Sequence, residues 1–263
     1  MFPQLHLPGL SFVIPTYGLC VVTGILLCFY WLWKTAPERG FGREMTLQLA
    51  LLTGNIAILG AHLFYVIVLR TNSFLQDPFI FFHFSEGGFV SYGAFIFGAI
   101  TAIAYLKAKK IPLLDGLDFT VTAVPIMIIF IRIGCMCAGC CFGKPTTSWL
   151  HFTFTDPHTP AGQVYLNTPL VPVQLYNMLD GVFLFVVVNW LYARRQFSGQ
   201  VAIAFSILYP INRGILEFFR GDDAARGVYF HHMISTAQFT GLFILCLSIP
   251  FYFLLQKRTI PAV

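Results

Sequence analysis

Residues 45–69 read MTLQLALLTGNIAILGAHLFYVIVL and contain no Asp, Glu, Lys or Arg. A stretch of about 20 apolar residues is long enough to cross the hydrocarbon core of a bilayer as a helix. Similar apolar stretches occur on both sides of it along the chain, and the ends of these predicted spans are accurate to about three residues. The predicted spans are Thr16–Trp33, Met45–Leu69, Gly88–Leu106, Leu117–Gly134, Pro172–Tyr192, Gln200–Phe219 and His232–Leu255. The pattern predicts an all-α membrane protein with seven transmembrane helices.

The composition agrees with a chain that lies mainly in lipid. Hydrophobic residues make up 57% of the sequence and charged residues 10%, whereas a soluble domain carries about 25% charged residues. The net charge of +5 does not indicate a nucleic-acid partner, because the basic residues are spread over separate loops. We expect one polytopic membrane domain over residues 1–263, with outside segments near 70–87 and 144–171.

The basic residues predict the direction of the spans. Cytoplasmic loops of membrane proteins carry an excess of Lys and Arg. One alternating set of connections holds Lys34, Arg39, Arg43, Lys107, Lys109, Lys110, Arg194, Arg195, Lys257 and Arg258. The opposite set holds Arg70, Lys144, Arg220 and Arg226. This bias predicts an N-terminus outside and a C-terminus in the cytoplasm.

Charged residues inside the spans are the first candidates for a functional site, since charge within a bilayer is costly. Arg132 lies near the predicted outer end of span four, and Arg213, Glu217 and Arg220 follow one face of span six. One interpretation is a structural ion pair between helices. The other is an anion site, because guanidinium groups in excess over carboxylate suit a phosphate. At headgroup depth that anion would be a phospholipid.

Two further segments combine small and polar residues. In GGFVSYGAFIFG (87–98), Gly88 and Gly93 flank Tyr92; the glycines favour close helix packing, and a tyrosine at this depth is typical of an interfacial anchor. Asp180, in span five, is interpreted as a polar contact between helices.

The run IRIGCMCAGCCFGKPT (131–146) contains the cysteines Cys135, Cys137, Cys140 and Cys141. Three interpretations remain open: a metal site, a disulfide, or small packing residues in an irregular turn. The metal interpretation lacks a second distant CxxC or His pair. We favour packing, because unpaired cysteine is often simply buried.

These motifs together resemble those of the bacterial prolipoprotein diacylglyceryl transferases, over most of the chain. The matching segments are TYG (16–18), GAHLFYV (60–66), GGFVSYGAFIFG (87–98), the pattern DF…P…RIG…G…G in span four, PVQLY (172–176) and NRGILEFFRGDD (212–223). The last two are the most specific, together with the spacing of Arg132 to Gly134, Gly139 and Gly143.

The resemblance implies a multi-pass enzyme of the bacterial inner membrane. Its expected reaction transfers a diacylglyceryl group from phosphatidylglycerol to the lipobox cysteine of lipoprotein precursors and releases glycerol phosphate. No cofactor or metal is expected. The implied catalytic residues are Arg132, Arg213, Glu217 and Tyr92. The implied substrate-binding residues are Arg220, Tyr17, Gly88, Gly93, Gly134, Gly139, Gly143, Gln174 and Tyr176.

The chain departs from the family pattern at several polar positions. Tyr92 stands where the family has a histidine, and His62 stands where it has an arginine. Cys135 replaces the family's asparagine, Cys140 its glutamate and Asn177 its acidic residue. A tyrosine acts as a base only if its pKa of about 10 is lowered. The alternative function is therefore a protein of the same fold that binds anionic phospholipid, with a different acceptor or without transferase activity. A membrane thiol-redox protein is a further alternative.

Overall fold

The computed structural model describes residues 4–6, 13–69, 77, 79, 91–223, 228–229 and 234–259. The chain is mostly helical, as predicted, and it divides into two compact units. One unit spans Phe29–Gly116. The other combines Met1–Cys28 with Leu117–Val263 and is called the arginine unit below. The prediction of a single membrane domain stays a prediction.

Nine α-helices and six short strands are assigned within the described residues. The helices are α1 Thr16–Thr35, α2 Arg43–Leu69, α3 Ser91–Ala108, α4 Leu113–Val121, α5 Val124–Ala138, α6 Pro160–Tyr165, α7 Val173–Arg194, α8 Gln200–Glu217 and α9 Thr236–Thr259. The strands form three antiparallel pairs: β1 Gln4–His6 with β2 Val13–Pro15, β3 Phe152–Thr153 with β4 Pro169–Leu170, and β5 Val228–Tyr229 with β6 Ile234–Ser235.

Five segments of the described chain are long and apolar enough to cross a membrane. They are Thr16–Thr35, Arg43–Ile67, Leu113–Ala138, Val173–Arg194 and Thr236–Lys257. The α8 helix is not among them, which is consistent with the charged side chains near its C-terminal end. Seven spans and the direction of the termini therefore stay predictions.

Several predicted helix ends were wrong by four residues. Span four was predicted as Leu117–Gly134, but the helical segment begins at Leu113 and ends at Ala138. This segment is interrupted near Pro125, because α4 ends at Val121 and Pro125 lies in the first turn of α5. A proline fits there because the first-turn N–H has no helical acceptor to lose.

In the Phe29–Gly116 unit, α2 and α3 pack at very close range. A Cβ atom added to Gly93 would lie 2.2 Å from the carbonyl oxygen of Gly60, so neither helix has room for a side chain there. Gly60 itself contacts the ring of Phe97. Further along, the hydroxyl of Tyr105 donates a hydrogen bond of 2.9 Å to Gln48. Glycine at the crossing thus determines how closely these two helices approach.

In the arginine unit, α7 packs on α5, and α8 packs on both α7 and α9. Gly181 of α7 allows close contact with Ile129 of α5. Asp180 accepts a hydrogen bond of 2.5 Å from Asn212 of α8, which confirms the prediction that it forms a polar helix–helix contact. These contacts fix α8, and with it the charged residues near its C-terminal end.

A buried carboxylate holds the start of α8. Asp118 is fully buried and accepts hydrogen bonds from the backbone N–H groups of Gly199 and Ala202, each at 2.8 Å. It also accepts a hydrogen bond of 3.1 Å from Arg195, whose guanidinium packs over the ring of Tyr192. The carboxylate satisfies N–H groups at the helix N-terminus and balances the helix dipole there.

Residues 144–171 form a folded arm. The β3–β4 pair and the short α6 surround a small apolar core of Phe142, Phe154, Ala161 and Leu170. Thr159 caps α6 by accepting a hydrogen bond from the N–H of Gly162. Phe142, which directly follows the cysteine run, belongs to this core, and the N–H of Ala161 donates a hydrogen bond of 2.9 Å to the carbonyl of Gly139. These contacts hold the arm against the cysteine run.

Candidate active site

The C-terminal end of α8 carries the densest group of buried charges in the described part of the chain. Arg213 forms an ion pair with Glu217 one helical turn away. Arg220 approaches the same carboxylate, with Nη1 and Oε2 separated by 3.7 Å. Glu217 is 1% exposed, so its charge is balanced by these arginines rather than by water. The predicted alignment of Arg213, Glu217 and Arg220 is confirmed.

A second carboxylate, Asp222, faces the same group, so Glu217 is not the only acid beside the arginines in the described structure. Arg220 donates through Nε to Oδ1 of Asp222 at 2.8 Å and through Nη2 to Oδ2. Burial alone would lower the pKa of Arg220, but the hydrogen bonds to Asp222 and the nearby Cys141 and Glu217 raise the pKa. The guanidinium therefore stays charged, and its bidentate contact fixes its plane.

Arg132, on the last turns of α5, differs from the other two arginines. Its Nε is buried and has no hydrogen-bond partner among the described residues. Asp180 lies close enough for an electrostatic interaction with it, but already accepts a hydrogen bond from Asn212. A buried guanidinium donor without an acceptor is costly unless a ligand supplies the anion.

Backbone contacts join the end of α8 to the segment after the cysteine run. Gly143 and Arg220 form an isolated β-bridge, and the N–H of Gly221 donates to the carbonyl of Phe142 at 3.0 Å. A Cβ atom on Gly143 would lie 2.2 Å from the carbonyl oxygen of Val171, and one on Gly221 would lie 2.6 Å from that of Gly143. Both glycines are therefore required for this close approach.

Three cysteines of the run come together beside the arginines. The sulfur atoms of Cys135, Cys140 and Cys141 all lie within 4.8 Å of one another, and no disulfide joins them. Cys137 is not part of this group. Arg132 and Arg220 both interact electrostatically with Cys141. The cysteines therefore form part of the wall around the arginine group.

Four other predicted substrate residues lie in the arginine unit near this group. Gly134 lies against Tyr17, since a Cβ atom there would be 3.0 Å from the tyrosine ring. Gly139 ends α5 with a left-handed φ of 69°, which a glycine adopts without strain. Gln174 is 1% exposed and donates a hydrogen bond of 2.9 Å to the carbonyl of Cys140. Its Oε1 is buried and has no partner among the described residues.

The remaining predicted residues are less closely tied to this group. Tyr176, near the start of α7, contacts the ring of Phe219 edge to face. Gly93 belongs to the Phe29–Gly116 unit, where it packs against α2. The backbone of Tyr92 lies in α3, but its side chain lies outside the described residues, as does Gly88 entirely.

His62 and Asn177, two positions that depart from the family pattern, are both buried. His62 is 1% exposed and its ring lies 6.2 Å from that of Tyr65 in the same helix. Asn177 is buried and donates to the carbonyl of Val173 at 2.8 Å. The Asn177 amide is thus used in part within its own helix.

Sequence reasoning missed two residues of the group. Asp222 belongs to the NRGILEFFRGDD motif, but no role was predicted for it. The available signal was its position two residues after Arg220, just beyond the helix. Tyr209 interacts electrostatically with Arg132 and Arg213 and stacks on Phe205. Its spacing of four residues before Arg213 places both on the same face of α8, which was the signal for it.

The arrangement is suited to binding an anion. The described group contains three arginines, of which two are engaged by the carboxylates of Glu217 and Asp222, and Arg132 retains an unused donor. Preorganised guanidinium groups stabilise charge that develops on a departing phosphate. The described side chains can therefore hold a phosphate ester and stabilise the phosphate as a leaving group.

Comparison with known proteins gives a consistent result over almost the full chain. The family model described as prolipoprotein diacylglyceryl transferase matches residues 5–254. A phosphatidylglycerol–prolipoprotein diacylglyceryl transferase of Clostridium tetani is 36% identical over 89% of this chain and 90% of its own length. A second transferase of that name from Clostridium perfringens is 33% identical over 90% and 89%, and one from Mannheimia succiniciproducens is 30% identical over 92% and 88%.

Proposed function

The chain belongs to the prolipoprotein diacylglyceryl transferase family, and on that premise we propose that it transfers a diacylglyceryl group from phosphatidylglycerol to the cysteine thiol of lipoprotein precursors. Glycerol phosphate is the second product. The observation that carries this proposal is the buried Nε of Arg132, which has no hydrogen-bond partner among the described residues and lies beside the paired Arg213 and Arg220. A phosphodiester headgroup supplies the missing acceptor.

In this mechanism the arginines act on the leaving group. The acceptor sulfur attacks the glycerol carbon of the lipid as a thiolate, since the thiol is a poor nucleophile. The new carbon–sulfur bond forms while the carbon–oxygen bond to phosphate breaks, and the electron pair leaves with the phosphate oxygen. Arg132 and Arg213 donate to the phosphate as its charge rises. Glu217 positions Arg213 and Arg220, while Asp222 holds the plane of Arg220.

The other predicted residues complete the proposed site. The proposed contacts to the lipid and the peptide come from Tyr17, Gln174, Tyr176 and the glycines Gly134, Gly139 and Gly143. Tyr92 stays a predicted catalytic residue, and Gly88 and Gly93 stay predicted substrate-binding residues. We further propose seven spans in the bacterial inner membrane, with the site open to the outer leaflet, the N-terminus outside and the C-terminus in the cytoplasm. The basic bias of the alternate loops supports this direction.

The direct test measures transfer of radiolabelled diacylglyceryl from phosphatidylglycerol to a synthetic lipobox peptide by the purified protein. The proposal expects label on the cysteine peptide and none on the same peptide with serine in place of cysteine. A protein that is folded and binds phosphatidylglycerol but transfers no label contradicts the proposed activity. That result would support the lipid-binding alternative, which the substituted polar positions favour.

A variant pair makes the test specific for the site. Arg132→Met removes the guanidinium whose buried Nε has no hydrogen-bond partner among the described residues. Arg194→Met removes an arginine that packs over Trp190 at the other end of α7. We expect the first variant to lose transfer and the second to retain it. Equal loss in both variants would indicate a general effect of removing positive charge rather than a role for this site.

A further inference from the structure

The three clustered cysteines have a geometry that simple packing does not explain. Cys135 and Cys141 place their sulfur atoms 4.0 Å apart, and Cys140 completes a triangle within 4.8 Å. A disulfide needs a separation of about 2.05 Å and would use only two of the three sulfurs. Three thiolates on a tetrahedral zinc ion, with Zn–S bonds of about 2.3 Å, lie about 3.8 Å apart. The observed triangle is close to that arrangement.

The backbone is strained at Cys141, in the turn that brings the cluster together. Gly139 leaves α5 with a φ of 69°, and Cys141 has a φ of 57°, a left-handed conformation that residues with a side chain rarely adopt. Gly139 and Cys140 both donate their N–H groups to the carbonyl of Cys135. The turn therefore folds Cys140 and Cys141 back over Cys135. Strain of this kind is concentrated at functional sites.

The surroundings of the cluster suit bound thiolates. Arg132 interacts electrostatically with Cys135 and Cys141, and Arg220 also interacts with Cys141. Three thiolates and a divalent ion carry one net negative charge, which nearby guanidinium groups stabilise. Gln174 donates to the carbonyl of Cys140 and so restrains the turn from outside. Supporting hydrogen bonds of this type orient the residues that ligate a metal.

The cluster supplies three ligands and no fourth. Among the described residues no further His, Cys, Asp or Glu side chain joins the group. Cys137, in the same segment, instead lies against Cys20 of α1. Zinc sites with four protein ligands are structural, whereas sites with three keep a position open for water or substrate. An all-sulfur ligand set selects a thiophilic metal.

We propose that Cys135, Cys140 and Cys141 bind one zinc ion as thiolates, and that the open fourth position receives the thiol of the acceptor cysteine. The second part rests on the proposed transferase function, and the first does not. When the acceptor binds zinc, its thiol proton passes to water and the sulfur becomes a thiolate. That sulfur then forms the bond to the glycerol carbon as the carbon–oxygen bond to phosphate breaks. Zinc keeps its oxidation state throughout.

The metal is tested first, by elemental analysis of protein purified in detergent from zinc-supplemented cells. We expect stoichiometric zinc in the wild type, its loss in Cys135→Ser, Cys140→Ser and Cys141→Ser, and its retention in the matched control Cys137→Ser. Zinc-free wild type that also fails to bind added zinc would overturn the proposal. So would zinc that persists in all three cluster variants, stoichiometric copper or iron, or a disulfide within the cluster found by thiol counting.

A measurement on the wild type avoids variants that fail to fold. After chelation and reconstitution with cobalt(II), thiolate ligands should give intense charge-transfer absorption together with the visible bands of a tetrahedral ion. Cobalt spectra without sulfur charge transfer would overturn the site. Prior alkylation of the thiols should abolish the spectrum, and a spectrum unchanged by alkylation would contradict cysteine ligation.

The acceptor role is tested on the cobalt protein in the absence of phosphatidylglycerol. A lipobox peptide with cysteine should change the charge-transfer bands, and the serine peptide should not. This readout is independent of catalysis, so loss of the proposed transferase activity and loss of acceptor binding are separately detected. An unchanged spectrum at peptide concentrations that saturate transfer, or full transfer by metal-free protein, would overturn the acceptor role.

Discussion

Replacing Arg132 with methionine should show separately how this buried charge affects the stability of the protein and how it affects the rate of transfer. Arg132 has a buried Nε without a partner in the described structure, whereas Arg213 is paired with Glu217. Loss of one preorganised donor to a developing oxyanion costs about 2.7–4 kcal/mol, or roughly 10²–10³ in rate. We therefore expect Arg132→Met to lower transfer by about 10²–10³-fold without lowering the thermal midpoint of the lipid-free protein.

The matched variant Arg213→Met should behave differently in the same assays. Breaking a buried ion pair costs about 3–5 kcal/mol. The lower end applies here, because Arg220 remains 3.7 Å from Glu217 and still compensates part of its charge. A loss of about 3 kcal/mol lowers the midpoint by roughly 6–12 °C in a chain of this size. Arg213→Met should thus lose both stability and activity.

The assay combines transfer kinetics with thermal unfolding, with and without phosphatidylglycerol. Saturating lipid at about 100 times its Kd stabilises the wild type by about 2.7 kcal/mol, and this protection should be much smaller in Arg132→Met. Transfer by Arg132→Met within tenfold of the wild type would refute the reasoning. A fall in its lipid-free midpoint as large as that of Arg213→Met would refute it as well, because it would show that Arg132 is already paired.

Two substitutions test the framework around the site, and a third experiment tests the predicted direction of the spans. Asp118→Asn should lower the free energy of unfolding by about 3 kcal/mol in thermal unfolding, because the amide cannot match all three donors; a loss no larger than that of the exposed control Glu38→Gln would contradict this. Gly143→Ala should reduce stability and transfer together, because its Cβ atom would meet a backbone oxygen at 2.2 Å, whereas Gly214→Ala, with open space, should retain both. Reporter fusions after Arg195 should read as cytoplasmic, and a periplasmic signal there would contradict the predicted direction.

Local patterns were sufficient for several features of the candidate site. The spacing of Arg213, Glu217 and Arg220 depends only on the periodicity of a helix, so their common face followed from the sequence. The position of Asp180 within an apolar span likewise predicted a polar partner on another helix, and Asn212 proved to be that partner. Such inferences need no knowledge of which helices are neighbours.

Long-range contacts were not predictable in the same way. The engagement of Arg220 by Asp222 depends on how the chain turns after α8. The Nε of Arg132 has no partner in the described part of the chain because of the way the helices pack around it. The grouping of Cys135 with Cys140 and Cys141 depends on two left-handed residues in one turn. Among the described residues, these features distinguish an anion site from an ordinary ion pair.

The sequence by itself determined the chemical class of the protein, because hydrophobic length and charge bias depend on composition along the chain and require no tertiary contacts. It also determined family membership, which the comparison confirmed over residues 5–254. Only the tertiary structure decided which arginine has a donor left unused by the described residues and which cysteines lie together. The physical reason is that pairing of buried polar groups is set by distances of a few ångströms between segments far apart in sequence.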